Sequence, residues 1–249
     1  MMWEALAWAV LLLAGVAVGA TSIGGVLVVP VLTLMLGYDL PMAIAAASLT
    51  FLITGLFSLW LNPQGWRGMR LGDPLLLGGA LLGAVLGACL ADAVPAVWVR
   101  RWIGVLALGS GLQTLWRVAQ WSHPAEATLR DWPSAKEQSL MGIVIGAGSA
   151  LSGTGGPVML MPYLLLTRRE VMRSVATALI LQVPIGLASS ATHVWAGRSQ
   201  VWLSLQLAGV LVAGIWGGRW LAHRSPLRWL MGVMACVLMA TGAWLLMNG

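Results

Sequence analysis

Ten apolar runs follow one another along the chain, at approximately 3–20, 22–36, 40–61, 74–91, 96–119, 139–151, 156–166, 171–195, 200–222 and 226–247. Pro, Gly or a charged residue stands at nearly every joint. A helical run of about 20 such residues matches the ~30 Å hydrocarbon thickness of a bilayer. Backbone polar groups find no water there, so each run must satisfy them internally, which a helix does and an open sheet edge does not. The chain therefore reads as an all-α, polytopic membrane bundle whose first partner is the lipid bilayer. Composition agrees, with 59% hydrophobic residues and 9% charged, where water-soluble domains carry about 25% charge. Trp60, Trp98, Trp195 and Trp202 flank joints between runs, as interfacial aromatic belts do.

Several function classes drop out at once. The 14 Lys and Arg stand singly or in pairs between runs and build no basic face for nucleic acid. Cys89 and Cys236 each lie inside an apolar run without a Cys or His at ligand spacing, so no disulfide framework, metal site or cofactor is expected. The segment Ala17-Val18-Gly19-Ala20 resembles a signal-peptidase site, but Glu4 and the missing Lys or Arg ahead of it favour a retained first helix. A homo-oligomer is compatible with the chain but nothing in it indicates one.

The longest polar stretch, 122–138, falls at the middle of the chain and divides a first repeat, 1–121, from a second, 139–249, within one membrane domain. Thr21-Ser22-Ile23-Gly24-Gly25 with Pro30 matches Gly153-Thr154-Gly155-Gly156-Pro157 with Pro162 at an offset of 132. Ala47-Ser48-Leu49 matches Thr177-Ala178-Leu179, and Gly79, Gly83 and Gly87 match Gly209, Ala213 and Gly217, at an offset of 130. Arg100, Gly104 and Ala107 match Arg228, Gly232 and Ala235 at an offset of 128. The Gly and Ala ladders are read as packing seams, because small residues let two helix backbones approach.

The paired glycine segments are read differently. Each interrupts an apolar stretch too long to cross a bilayer as one straight helix, so the helix bends or stops there. A stopped helix exposes free N–H groups and the positive end of its dipole at the start of the next half. Thr21, Ser22, Ser152 and Thr154 add hydroxyls, and Gly24, Gly25, Gly153, Gly155 and Gly156 let a solute reach the backbone, which makes an anion site without a buried cation. Pro157 suits the first position of a helix.

These paired Gly-Gly-x(4–5)-Pro segments, each followed by an Ala-rich helix, resemble the TauE/SafE family of sulfite exporters over essentially the whole chain. Ile23 and Val26 in the first copy, and Pro157 in the second, stand where the family's glycine run is fuller. The resemblance implies a multi-pass permease of the bacterial inner membrane, not an enzyme, that exports sulfite or related small organosulfonates.

Charge distribution bears on topology. If each broken segment crosses once, Lys and Arg divide almost evenly between the two faces; if each enters and returns as a hairpin, only Arg100, Arg101 and Arg198 fall on the minority face. The positive-inside rule prefers the hairpins, which makes the halves inverted repeats with both termini outside and the glycine tips meeting near the midplane.

His193, Gln113 and Gln182 are the polar side chains within helices that could couple or gate transport, and no catalytic residue is assigned. Two rivals remain. Ala150-Leu151-Ser152-Gly153 approaches the Gly-x-Ser-Gly of intramembrane serine proteases, with His193 on the next helix as its base; and a passive anion channel could use the same scaffold.

Overall fold

The computed structural model describes residues 2–21, 24–61, 74–91, 93–120, 132–167, 171–198, 200–222 and 228–248. Among these the chain forms ten helices, one for each apolar run: α1 Met2–Thr21, α2 Gly25–Met35, α3 Leu40–Leu61, α4 Pro74–Leu90, α5 Ala96–Gln120, α6 Ala135–Ser152, α7 Pro157–Leu166, α8 Val171–Trp195, α9 Val201–Ala222 and α10 Arg228–Asn248. The protein is an all-α, multi-pass membrane bundle. One boundary differs from the apolar pattern: α6 starts inside the polar stretch, because Ser134 and Glu137 form a capping box that satisfies its first turn. The Glu137 amide donates to the Ser134 hydroxyl at 3.4 Å, and the Ser134 amide to the Glu137 carboxylate at 3.2 Å.

α2 and α7 are half-helices of ~15 Å, too short to cross hydrocarbon, and both turn back along the helix before them. Gly24 lies against α1 ten residues upstream, where a Cβ would sit 2.7 Å from the Ala14 carbonyl oxygen. In the second copy the Tyr163 hydroxyl of α7 donates to the carboxylate of Glu137, in the first turn of α6. α2 is also irregular, opening with a tight turn (Leu27 N–H to Gly24 C=O, 3.1 Å) and closing with a wide one (Leu36 N–H to Val31 C=O, 3.2 Å). Pro30, within it, has no N–H to give the ladder.

Helix pairing repeats when the halves are exchanged. α4 packs on α6 and α1 on α9, both parallel; α3 packs on α8 and α5 on α10, both antiparallel. α3 and α8 form the centre, with 67% of each apolar window buried against 28% for α1. At one end of the bundle the Arg219 guanidinium of α9 donates to the Leu61 carbonyl that ends α3, at 3.4 Å. Trp60, Trp98, Trp195 and Trp202 are exposed at helix ends.

The glycine seams sharpen the repeat and correct its register. A Cβ on Gly79 would lie 2.7 Å from the Ser139 carbonyl, and Gly83, Gly87, Gly142 and Gly146 bring the α4 and α6 backbones equally close. The corresponding α1–α9 seam is built by Gly15 and Gly19 with Gly214 and Gly218. It is not built by Gly209 and Gly217, which the sequence aligned with Gly79 and Gly87 and which have nothing within 4 Å of a Cβ. Gly232 is open as well; Gly104 meets Gly242, while Gly111 meets Ala235. The seam glycines correspond at an offset of 135 in α4 and α9, five residues from the sequence alignment, which is ~140° around a helix of 3.6 residues per turn.

Gly83→Ala or Gly218→Ala should destabilise the protein by about 1–3 kcal/mol, since the added methyl must force two backbones apart. Gly78→Ala and Gly217→Ala, which meet open space, should be neutral or slightly stabilising. Thermal unfolding of the four variants in detergent measures this.

Candidate functional site

Local conformation at the second break follows from its glycines. α6 ends on Ser152, Gly153 takes the left-handed region (φ 60), and Gly155 does so again (φ 76), where a side chain costs ~1–2 kcal/mol. Gly156 then turns the chain into α7, its carbonyl accepting from the Met159 and Leu160 amides at 3.3 and 3.1 Å, with Pro157 as first helical residue. Three hydroxyls tie the turn internally. Ser149 donates to the Gly155 carbonyl (3.2 Å), Ser152 to the Gly148 carbonyl (2.7 Å), and the Ser152 and Thr154 hydroxyls pair at 2.8 Å.

The two breaks touch. A Cβ on Gly25 would lie 3.1 Å from the Thr154 carbonyl and 2.9 Å from the Phe51 ring; one on Gly153 would lie 3.0 Å from the Val29 side chain. Phe51, near the middle of α3, fills the space between Gly25 and Gly155. Beneath it is a small polar cavity lined by Ser48, Phe51, Ser149, Gly153, Gly155, Gln182, Ile185, Gly186 and Ser189. α3 and α8 hold its walls: the Ser48 and Ser189 hydroxyls meet at 2.9 Å, and the Gln182 amide donates to the Phe51 carbonyl at 2.9 Å and to Thr54 at 3.2 Å. The free volume is about 10 Å³, room for one water at most.

The expected site residues divide accordingly. Gly153, Gly155 and Gln182 line the cavity, Gly25 abuts it, and Gly156 packs on Ile185. Gly24 instead locks the first hairpin onto α1. Ser152 and Thr154 are buried in the turn, with hydroxyls committed to each other. Ser22 and the side chain of Thr21 lie outside the described residues. Gln113 sits away from the cavity, on α5 against a larger cleft. His193 is buried at 1% exposure in the last turn of α8, although Trp195 beside it is 93% exposed. The Ser152–His193 dyad is not formed: the Ser152 hydroxyl bonds to Gly148, Ser149 and Thr154.

Ser48, Phe51, Ser149 and Ser189 were not singled out by the sequence. In Ala-rich helices a lone serine carries no mark of which way it faces, and only its helical register against the facing helix gives it a role.

The cavity is lined by three hydroxyls, one carboxamide, glycine main chain and the apolar side chains of Phe51 and Ile185, with no charged side chain among the described lining residues. Its hydroxyls and carboxamide are paired within the protein: Ser48 with Ser189 and the Ile44 carbonyl, Ser149 with the Gly155 carbonyl, and Gln182 with the Phe51 carbonyl and Thr54. Gly155→Ala should destabilise the protein by about 1–2 kcal/mol more than Gly156→Ala, because only Gly155 has the left-handed backbone. Thermal unfolding compares the two.

A family model described as sulfite exporter TauE/SafE matches residues 7–245. Comparisons with curated proteins and with solved structures give no match. The family match covers nearly the whole chain and agrees with a multi-pass bundle built around paired broken helices: the protein belongs to the sulfite exporter TauE/SafE family, a family of membrane transporters and not of enzymes.

Proposed function

We propose that the protein is a permease of the bacterial inner membrane that exports sulfite or a closely related sulfur oxyanion or organosulfonate, with the substrate held where the two broken helices meet. The observation that carries this reading is the polar cavity lined by Ser48, Ser149, Gly153, Gly155, Gln182 and Ser189, sited near the middle of the two central helices. Its hydroxyls and carboxamide, paired with one another and with main chain in this closed form, turn to an anion when the hairpins part, and no fixed cation traps that anion as an ion pair. A cavity too small for any oxyanion fits a gated transporter in its closed state better than a continuously open channel.

The halves act as inverted repeats. Antiparallel packing of α3 on α8 and of α5 on α10 supports this, as does the Arg219–Leu61 contact, which puts the ends of α3 and α9 on one face. With each broken segment returning as a hairpin, eleven of the 14 Lys and Arg fall on the face that carries the 122–138 linker, leaving Arg100, Arg101 and Arg198 opposite. By the positive-inside rule that face is cytoplasmic. Transport then exposes the cavity alternately to the two faces as one bundle moves against the other.

Sulfite flux in proteoliposomes tests the site. Gly155→Leu and the double variant Ser48→Ala/Ser189→Ala should fall by about tenfold or more, the loss of ~1.4 kcal/mol of substrate stabilisation, while retaining a monodisperse elution profile. Ser152→Ala should keep most of the flux. Wild-type rates in the first two variants would dismiss the cavity as the site. In a cysteine-free background, a cysteine placed at Ala127 should react with an impermeant thiol reagent only from the cytoplasmic side; external labelling would overturn the orientation.

A further inference from the structure

A second cavity lies on the other side of the α6–α7 hairpin. It is a cleft of about 600 Å³ between α5 and α7, lined by Val105, Leu106, Gly109, Ser110, Leu112, Gln113, Trp116, Val158, Met159 and Pro162. Along α5 it runs from mid-helix to Trp116, near the end that leads into the linker. Its walls are mostly apolar, and by themselves they would suit an acyl chain.

Two features call for a polar occupant. Both the nitrogen and the oxygen of the Gln113 carboxamide are buried there without a hydrogen-bond partner, a state that costs ~1–3 kcal/mol for each unsatisfied group unless something polar enters. Pro162, inside α7, has no N–H to give the carbonyl of Val158, and both residues line the same cleft. An acyl chain satisfies neither, whereas water or a hydrated small anion satisfies both.

One side chain separates this cleft from the polar cavity. Met159 lines the cleft, and its sulfur lies 3.8 Å from the Ser149 hydroxyl, while Ser149 lines the polar cavity. Gly148 leaves room for it: a Cβ there would lie 2.8 Å from both Sδ and Cε of Met159. The Trp102 indole donates to the Gly148 carbonyl beside it at 3.3 Å. Methionine suits a movable stopper, being unbranched, flexible and without a strong hydrogen bond to break.

We propose that the α5–α7 cleft is a hydrated vestibule for small anions on the linker-side face, with Gln113 as its polar anchor, and that Met159 is the plug between it and the polar cavity. Calling the vestibule a substrate path rests on the transporter reading above; the water access itself does not.

The test separates the two. Cys89 and Cys236, both exposed and free, are replaced by alanine, and a reporter cysteine is placed in the cavity as Ser149→Cys or, independently, Ser189→Cys. Reaction with a negatively charged, membrane-impermeant methanethiosulfonate is timed in vesicles of each orientation, with and without Met159→Ala. Met159→Ala should speed labelling of both reporters by about tenfold or more, ~1.4 kcal/mol of lowered barrier, and only from the linker-side face. Adding Gln113→Leu should slow it several-fold. Unchanged rates at both reporters, or acceleration from the opposite face, would overturn the plug. Accelerated labelling in a protein whose cysteine-free parent moves no sulfite would leave the plug standing and sink the sulfite assignment instead.

Discussion

Backbone that leaves the helical ladder cannot face lipid, where each unpaired N–H or C=O costs several kcal/mol. Most of the bundle can be understood as the consequence of placing two such breaks inside a membrane. The turns at Gly24 and at Gly153–Gly156 must be enclosed: α1 packs against Gly24, and α3 and α8, the two most buried long helices, pack against Gly153–Gly156. The second turn is further satisfied from within, Ser149 and Ser152 covering carbonyls of their own hairpin, and the Gln182 amide reaches the Phe51 carbonyl across the central interface.

The remaining helices solve a different problem. Apolar side chains gain nothing by meeting one another instead of lipid tails, so cohesion must come from close backbone approach. The α4–α6 and α1–α9 seams provide it through glycines that bring carbonyl oxygens to within contact of the opposite chain. These rigid parallel pairs join an outer helix of one half to the hairpin helix of the other. Each broken segment is thereby clamped by the opposite repeat, and the hairpins cannot move independently of the halves that hold them.

The cavity at the meeting point has no charged side chain among its described lining residues, and so avoids the compensation that a buried cation would need in a low dielectric.

Much of this was legible in the chain itself. Apolar run lengths determined ten helices and the membrane environment, because the hydrocarbon thickness and the need for internal hydrogen bonding leave no other solution. The glycine pairs and Pro157 marked both breaks, since left-handed backbone and a missing N–H are chemical properties of those residues. What the sequence could not decide was rotation about each helix axis. In a chain with 31 glycines, several alignments of small-residue ladders score alike, and a shift of five residues turns a seam toward lipid, as happened with Gly209 and Gly217. The same ambiguity left open that Ser48 meets Ser189 across the central interface and that the Ser152 and Thr154 hydroxyls pair within the turn. Only the tertiary structure sets which face of each helix meets its neighbour, because that depends on the simultaneous fit of all ten helices, while helix formation in a membrane depends on local sequence alone.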